Sequence, residues 1–483
     1  MQSYLDESTQ WNFGNRSSIP ALKALAEKYW SAPETVAGRI HILDTPSLKD
    51  LQIKTVAVYY YRFRNGGVER VLAAQIKALK QSGYRVVLIT EEASSPMDFP
   101  LSEGVDRVIL FPSSQTNSET YTNRIESWDQ FVQQYHIDLV IYHAWLNEIL
   151  LWDVLLLKLM GVSVVMQAHG SFAVSIGYSL PQGYTLPAAA PFLDGIVVLS
   201  ECDRIFWSHY HTNVHYIPNP MDPCFLSVQK TTGQKKNLLW IGRFEPEKAP
   251  WEAIKILAYV VKHEPDTVLY MVGAQEDQQI AERCMSLIDK YHLEDNVVFT
   301  GYTTDVSAHF SAAAIHIMTS VTEGYPMVLL EAAAHGVPTV MYELPWLEMA
   351  KESFGVCSVS RCDSNAAANE IVRLLSNRKD WEALNRNAVS SVADLAAYDY
   401  NSAWNDVIRG QQARLPVSNV SHTMLQTLIY HYQLGWIKEH RQPHGTFYVK
   451  GVRLLDFIER VSNYLKMNGM KKLFARILKK LFQ

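Results

Sequence analysis

From residue 55 onward the chain alternates short apolar runs of strand length with longer stretches whose apolar residues recur at helical spacing. TVAVYYY leads into a helical pattern from about Val68, followed by VVLIT, a variable stretch rich in Ser and Pro, LVIYH, a helix near 146–160, VSVVMQA, GIVVLS and VHYIP. Strands separated by helices rather than by tight turns predict a parallel sheet wrapped on both faces. A second series of the same kind follows the polar stretch 227–236: NLLWIG, TVLYMVG, NVVFTG, AIHIMTS and PTVMY. The expected fold is α/β, with two doubly wound, Rossmann-like domains facing a central cleft. Their expected bounds are 54–219 and 237–410, with a linker over 220–236 and extra segments at 1–53 and 411–483.

The most apolar window, 146–160, is interrupted by Glu148, Asp153 and Lys158. It is too short and too charged to cross a bilayer, so a buried helix is expected. Within 1–53 one helix, over 20–30, presents Leu22, Leu25, Ala26 and Tyr29 for packing against a surface that the sequence does not name.

Length and composition then narrow the class. A chain of 483 residues exceeds one core. Its 48% hydrophobic content, with 20 prolines and 23 glycines, is that of an ordinary folded protein. A formal charge of −5 offers no electrostatic footprint for nucleic acid, so none is expected as a partner. The five cysteines form no Cys-x-x-Cys pair and leave one over, which suits a reducing compartment. MQSYLDESTQWNFGNRSS has no apolar core behind a basic start, and the expected location is cytoplasmic.

In open parallel sheets ligands bind beyond the carboxyl ends of the strands, which directs attention to four loops. After TVAVYYY comes RFRNGGVERV, where Gly66 and Gly67 let backbone approach a ligand as a helix begins; a plain tight turn is the alternative. The third glycine of a dinucleotide fingerprint is missing, and no Gly-Lys-Ser/Thr makes a P-loop. After VSVVMQA comes His169, followed by Gly170. After NLLWIG come Arg243 and Lys248, five residues apart before Pro250 opens a helix: a receptor for a diphosphate, or a solvated loop shared with Glu245 and Glu247.

The fourth loop lies in SVTEGYPMVLLEAAAHGVPTV. Pro326 suits a first helical turn and Gly336 a C-terminal cap, predicting a helix over 326–335. Glu323 then lies in the preceding loop and Glu331 a turn and a half inside the helix, so the two carboxylates do not share a helix face. The alternative is an ordinary crossover carrying a surface Glu. Cations and helix N-termini would receive a leaving diphosphate, and carboxylates would accept from hydroxyls: the description of a nucleotide-sugar site. No His-Glu-x-x-His, Gly-x-Ser-x-Gly or Asp-x-Asp occurs, so no metal or other cofactor is called for.

These motifs, taken in order, resemble those of the family-4 retaining glycosyltransferases of the GT-B fold: GGVERV, IPNPMD at 217–222, Gly242-Arg243-Phe244 with Glu247-Lys248, and EGYPMVLLE followed by AxxHGVPTV. The resemblance covers roughly 54–410 and implies an acceptor-side first domain and a donor-side second domain. It implies that Arg243 and Lys248 hold the donor diphosphate, that Glu331 takes the ribose hydroxyls, and that Glu323 with Gly324, Tyr325, Pro326 and Met327 takes the transferred sugar. Gly66 and Gly67 would approach the phosphates, His169 would lie beside the reacting centre, and Gly273 and Tyr302 would border the base. The implied activity is metal-independent transfer, with retention, from a nucleotide-diphosphate sugar, commonly UDP-linked, to a glycan or lipid-linked saccharide in cell-surface polysaccharide assembly. Two departures stand out: Pro220 where Gly is usual after Pro-Asn, and Ala249-Pro250 where Gly usually follows Lys. Rival readings on the same fold are a nucleotide-sugar epimerase, a phosphorylase, or a catalytically silent subunit that stabilises an active partner. The last would have no need of Arg243, Lys248, Glu323, Glu331 and His169.

MKKLFARILKKLFQ closes the chain with Met470, Leu473, Phe474, Ile477, Leu478, Leu481 and Phe482 on one helical face and five cations on the other. Seven basic residues and no acid follow Glu459, so this tail carries +7 and the rest −12, giving the chain's −5. A basic amphipathic helix on an acidic protein reads as an anchor to anionic lipid on the inner face of the membrane; a helix docked on the protein itself is the alternative. Deleting 468–483 is expected to abolish sedimentation with anionic liposomes and to leave nucleotide affinity intact, whereas a truncated protein that still sediments, or that unfolds, supports the docked helix.

Overall fold

The computed structural model describes residues 9–31, 40–43, 46–64, 66–173, 182–221, 223–232, 236–303, 305–411 and 427. The tail helix expected over 468–483 lies outside them. Two compact units are present: residues up to Pro218 together with those from Tyr400, and Asn219–Asp399.

The first unit is built on a parallel sheet of seven strands: β3 (Thr55–Tyr59), β4 (Arg85–Thr90), β5 (Asp106–Ile109), β6 (Leu139–Tyr142), β7 (Ser163–Gln167), β8 (Gly195–Val198) and β9 (Val214–Tyr216). Their order is β5-β4-β3-β6-β7-β8-β9. β3, β6 and β7 are buried at every position, as continuous Val/Ile runs require when helices cover both faces. Strand order reverses between β3 and β6, which makes the carboxyl ends of those two strands the switch point. β1 (Thr9–Asn12) and β2 (Ile40–Leu43) pair separately, in parallel.

The surface that receives the early helix is now identified. The helix Ile19–Tyr29 buries Leu22 and Ala26, and Trp30 at its end stacks on Trp152 with ring centroids 5.9 Å apart and planes within 4°. Trp152 belongs to the helix Leu150–Leu159, buried along its whole length. Its two charges are paired. Asp153 receives the Arg124 guanidinium at 2.7 Å, Trp128 Nε1–H at 3.1 Å and the Tyr142 hydroxyl at 2.8 Å, while Lys158 donates to Asp194 at 2.8 Å. Arg124 also reaches Glu91, 2.9 Å away, so one guanidinium serves two carboxylates. Among the described residues no helix is long and apolar enough to cross a membrane.

The second unit carries a six-stranded parallel sheet: β10 (Asn237–Ile241), β11 (Val268–Val272), β12 (Val297–Gly301), β13 (Ile315–Met318), β14 (Thr339–Tyr342) and β15 (Val356–Val359), ordered β12-β11-β10-β13-β14-β15. Its switch point lies between β10 and β13. The two-sheet α/β architecture agrees with expectation, and its details differ in three places. β5 and the helix Tyr121–Tyr135 occupy what reads as a variable stretch. β15 adds a strand beyond PTVMY. The helix Tyr400–Ile408, inside the range expected for the second domain, belongs to the first unit, where Trp404, Val407 and Ile408 join Leu48, Leu72, Ile76 and Leu79 in one core.

Removing Asp153 would leave the buried Arg124 with half its counter-charge. Asp153→Ala is therefore expected to lower stability by about 3–5 kcal/mol in urea denaturation; a loss below about 1 kcal/mol would show that Glu91 alone compensates.

Candidate active site

In the second unit the site grows from two strand ends beside the switch point. β10 ends at Ile241, and its loop folds back on itself: Glu245 N–H donates to Arg243 O at 2.8 Å and Lys248 N–H to Glu245 O at 3.1 Å. Ala249 follows with φ +45°, the left-handed region where a Cβ is disfavoured, and the helix Pro250–Val260 begins. That backbone shows what the departure noted at Ala249 costs: the turn demands a conformation that glycine adopts freely and alanine adopts under strain.

β13 delivers the second loop, and the two are stitched together. Thr319 Oγ1 accepts from Trp240 Nε1–H at 2.9 Å and faces the Lys248 and Ala249 carbonyls at 2.8 and 3.0 Å, to which its one proton is shared. Val321 N–H donates to Glu247 O at 2.8 Å. Beyond this seam the Lys248 ammonium pairs with the Glu323 carboxylate, and Trp346 Nε1–H holds the Glu323 carbonyl at 2.7 Å. Two sequence motifs 75 residues apart thus meet in one ion pair. Arg243 stands differently, with its side chain 66% exposed and paired only at the surface with Glu245, 2.8 Å away.

The helix after Glu323 runs Met327–Ala334, with Pro326 as its N-cap and Gly336 at φ +67° just past its end, so the expected bounds hold to within a residue. Glu323 is in the loop and Glu331 inside the helix, as expected, and Glu331 is buried. Tyr325 and Pro326 are buried, Gly324 and Met327 half-buried. Asn219, from the IPNPMD stretch, is buried with Nδ2 3.9 Å from Met327 Sδ. Gly273, after β11, has φ +151°, and a Cβ there would lie 1.9 Å from Gly242 O. Tyr302 is 59% exposed.

The remaining candidates belong to the first unit. Gly66 caps the helix Gly67–Gln81, and its backbone lies against the Glu69 carboxylate, which is itself paired with Arg62. A Cβ at Gly67 would meet nothing within 4 Å. His169 follows β7, and the space left by Gly170 is filled by the Trp145 ring, 2.7 Å from where a Cβ would stand. His169 Nε2 is 2.8 Å from Nδ1 of His143, with the ring centroids 5.1 Å apart and the ring planes 22° from parallel. Burial pushes His169 down to about 3 and His143 well below the usual imidazole range, so both are neutral at pH 7.

Sequence reasoning overlooked Thr319, Trp240, Trp346 and His143. His143 was within reach, because it closes LVIYH and the strand-end rule applied to that loop as to the other four. Among the described residues no group of three or more His, Cys, Asp or Glu side chains is placed to hold a metal ion.

Comparison with known proteins decides the class. A model described as Glycosyltransferase Family 4 matches residues 65–224, and one described as Glycosyl transferases group 1 matches 226–390. The chain belongs to glycosyltransferase family 4. An uncharacterized glycosyltransferase of Haemophilus influenzae is 26% identical over 57% of this chain and 77% of its own. The Campylobacter jejuni GalNAc-alpha-(1->4)-GalNAc-alpha-(1->3)-diNAcBac-PP-undecaprenol alpha-1,4-N-acetyl-D-galactosaminyltransferase is 24% identical over 45% of this chain, a match that spans 60% of that enzyme. The Anabaena protein Alr3699/HepE, solved with UDP and glucose, superposes with a TM-score of 0.58 over 73% of this chain and 98% of its own, at 15% identity. The glycosyltransferase has the GT-B architecture of two Rossmann-like domains.

Two glycine substitutions separate packing from ligand approach. Gly273→Ala, which drives a methyl into a backbone carbonyl, is expected to cost about 1–3 kcal/mol in urea denaturation. Gly67→Ala, opening onto free space at a helix start, is expected to leave stability unchanged or slightly raised. Equal effects would contradict the geometry.

Proposed function

We propose that this glycosyltransferase transfers a sugar, with retention and without a metal ion, from a UDP-sugar to a glycan or lipid-linked saccharide in cell-surface polysaccharide assembly. The observation that carries the reading is the seam in the second unit, which sets a cation and a carboxylate at the switch point beside two helix N-termini. The ammonium has three N–H donors, so pairing with Glu323 leaves two for phosphate oxygens. Arg243 gives up little in leaving Glu245, because an exposed ion pair contributes under about 1 kcal/mol. Both cations would stabilise the departing diphosphate, electrostatic work of the kind that dominates such reactions.

In the retaining step the bond from the sugar's anomeric carbon to the diphosphate breaks, and the bond to the acceptor oxygen forms on the same face. The acceptor's proton passes to the diphosphate oxygen. Glu331 would accept from the ribose hydroxyls, Glu323 and the loop through Met327 would hold the sugar, and Gly273 and Tyr302 would border the base. Gly66 and Gly67 would approach the phosphates and His169 the reacting centre. The UDP bound to the Anabaena protein and the undecaprenol-linked acceptor in the Campylobacter enzyme's name support the donor and acceptor classes. A lipid-linked acceptor would also give the basic tail a purpose, placing the enzyme as a peripheral protein on the inner face of the cell membrane.

Arg243→Ala and Lys248→Ala are each expected to lower turnover about 10²–10³-fold with circular dichroism unchanged, as for loss of one preorganised stabiliser of developing charge. Near wild-type turnover by both would refute the diphosphate assignment.

A further inference from the structure

His169 is not alone at the end of β7. Its Nε2 meets His143 Nδ1 at 2.8 Å, His143 Nε2 meets Gln75 Oε1 at 2.8 Å, and Gln75 Nε2 donates to Gln167 Oε1 at 3.2 Å. His143, Gln75 and Gln167 are all buried, with exposures of 0%, 0% and 1%. They come from the loop after β6, the helix Gly67–Gln81 and the end of β7, so three elements converge on the imidazole.

In such a chain each link constrains the next. A buried donor facing a donor, or an acceptor facing an acceptor, is costly, so the hydrogen bonds must run in one direction. The Gln75 amide donates through Nε2, which leaves its Oε1 to accept. His143 Nε2 must therefore carry a proton. A neutral imidazole has one N–H, so His143 Nδ1 is an acceptor, and it takes the proton of His169 Nε2. His169 is neutral as well, which leaves its Nδ1 bare.

From this chain we infer that His143, Gln75 and Gln167 are positioning residues that hold His169 in the Nε2–H tautomer, so that its Nδ1 serves as a hydrogen-bond acceptor for a hydroxyl of the transferred sugar. The inference rests on the proposed place of His169 beside the reacting centre and adds its chemical role. A bare Nδ1 in a neutral ring takes a hydrogen bond; it does not donate one to a phosphate and is no general acid. The sugar hydroxyl that meets it must donate, so a donor sugar deoxygenated at that position would lose the contact. The device resembles the fixing of a metal-bound or catalytic histidine by its second nitrogen, with a histidine and two amides in place of a carboxylate.

The test is direct. Histidine in the full chain is labelled with ¹⁵N, and the ring nitrogens of His169 are assigned by comparison with His169→Ala. A protonated Nε2 and a bare Nδ1 on His169 are expected; a protonated Nδ1 overturns the inference. Gln75→Met, close in length and volume, removes the acceptor behind His143. It is expected to give a mixed His169 tautomer and about a tenfold loss of kcat/KM with UDP-glucose, UDP-galactose or UDP-N-acetylglucosamine, whichever the wild type turns over, while UDP affinity stays within twofold. An unmixed tautomer in that variant, or loss of UDP affinity in proportion to kcat/KM, overturns it too. The wild-type spectrum stands even if the variant fails to fold. His169→Ala separates this inference from the reading beneath it. A crippled His169→Ala together with a reversed tautomer in the wild type refutes the hydrogen-bonded chain alone, and normal turnover of His169→Ala together with the expected wild-type tautomer refutes the role of His169 and the function of the chain together.

Discussion

The candidate site of the second unit depends on two loops being held edge to edge by a single hydroxyl. Thr319 accepts from Trp240 and donates to the carbonyls of Lys248 and Ala249, so it fixes the end of one strand against the loop that leaves its neighbour. Thr319, Trp240 and Ala249 are buried, and there an unmade hydrogen bond costs about 1–3 kcal/mol. The seam is thereby a strong constraint on backbone position. It also accounts for Ala249 standing in a left-handed conformation: a carbonyl turned toward Thr319 is part of what offsets the unfavourable φ. With the seam in place Lys248 and Glu323 face each other, and the helices that follow each loop begin beside them.

The first unit uses buried polar groups in a related way. The Arg124 cluster ties the ends of β3, β4 and β6 to the two helices behind them, since Tyr59, Glu91 and Tyr142 all lie at or just past those strand ends. The His169 chain sits on the same side of the sheet, at the ends of β6 and β7. In both places polar groups at the carboxyl ends of parallel strands are immobilised by partners that are themselves buried, which is how a rigid scaffold can present a side chain at a fixed angle.

Much of this was legible in the sequence, and the losses have physical causes. Strands buried on both faces announce themselves as apolar runs, so β3, β6, β7, β10 and β14 were readable. β5 was not, because DRVI lies at the sheet's edge, where half its positions face solvent, and it shows neither a run nor a clean alternation. The helix Tyr121–Tyr135 was hidden because Arg124, a residue that reads as surface, occupies its buried stripe. The helix bounds around Glu323 and Glu331 followed from Pro326 and Gly336, whose backbone chemistry is local. The seam did not follow, because Thr319 and Lys248 are 71 residues apart and nothing in either neighbourhood marks the other. Family resemblance supplied roles for Arg243, Lys248 and the two glutamates, and those roles remain our proposal for this chain.

The central claim is a division of labour between the two carboxylates, and titration calorimetry with UDP tests it most directly. Glu331→Gln is expected to weaken UDP binding roughly 10–100-fold, the loss of a hydrogen bond to a charged group at about 1.5–3 kcal/mol. Glu323→Gln, which leaves the Lys248 ammonium in place, is expected to bind UDP within about twofold of wild type, well under the roughly 1.4 kcal/mol of a tenfold change. Equal losses in the two variants, or none in either, would contradict the account.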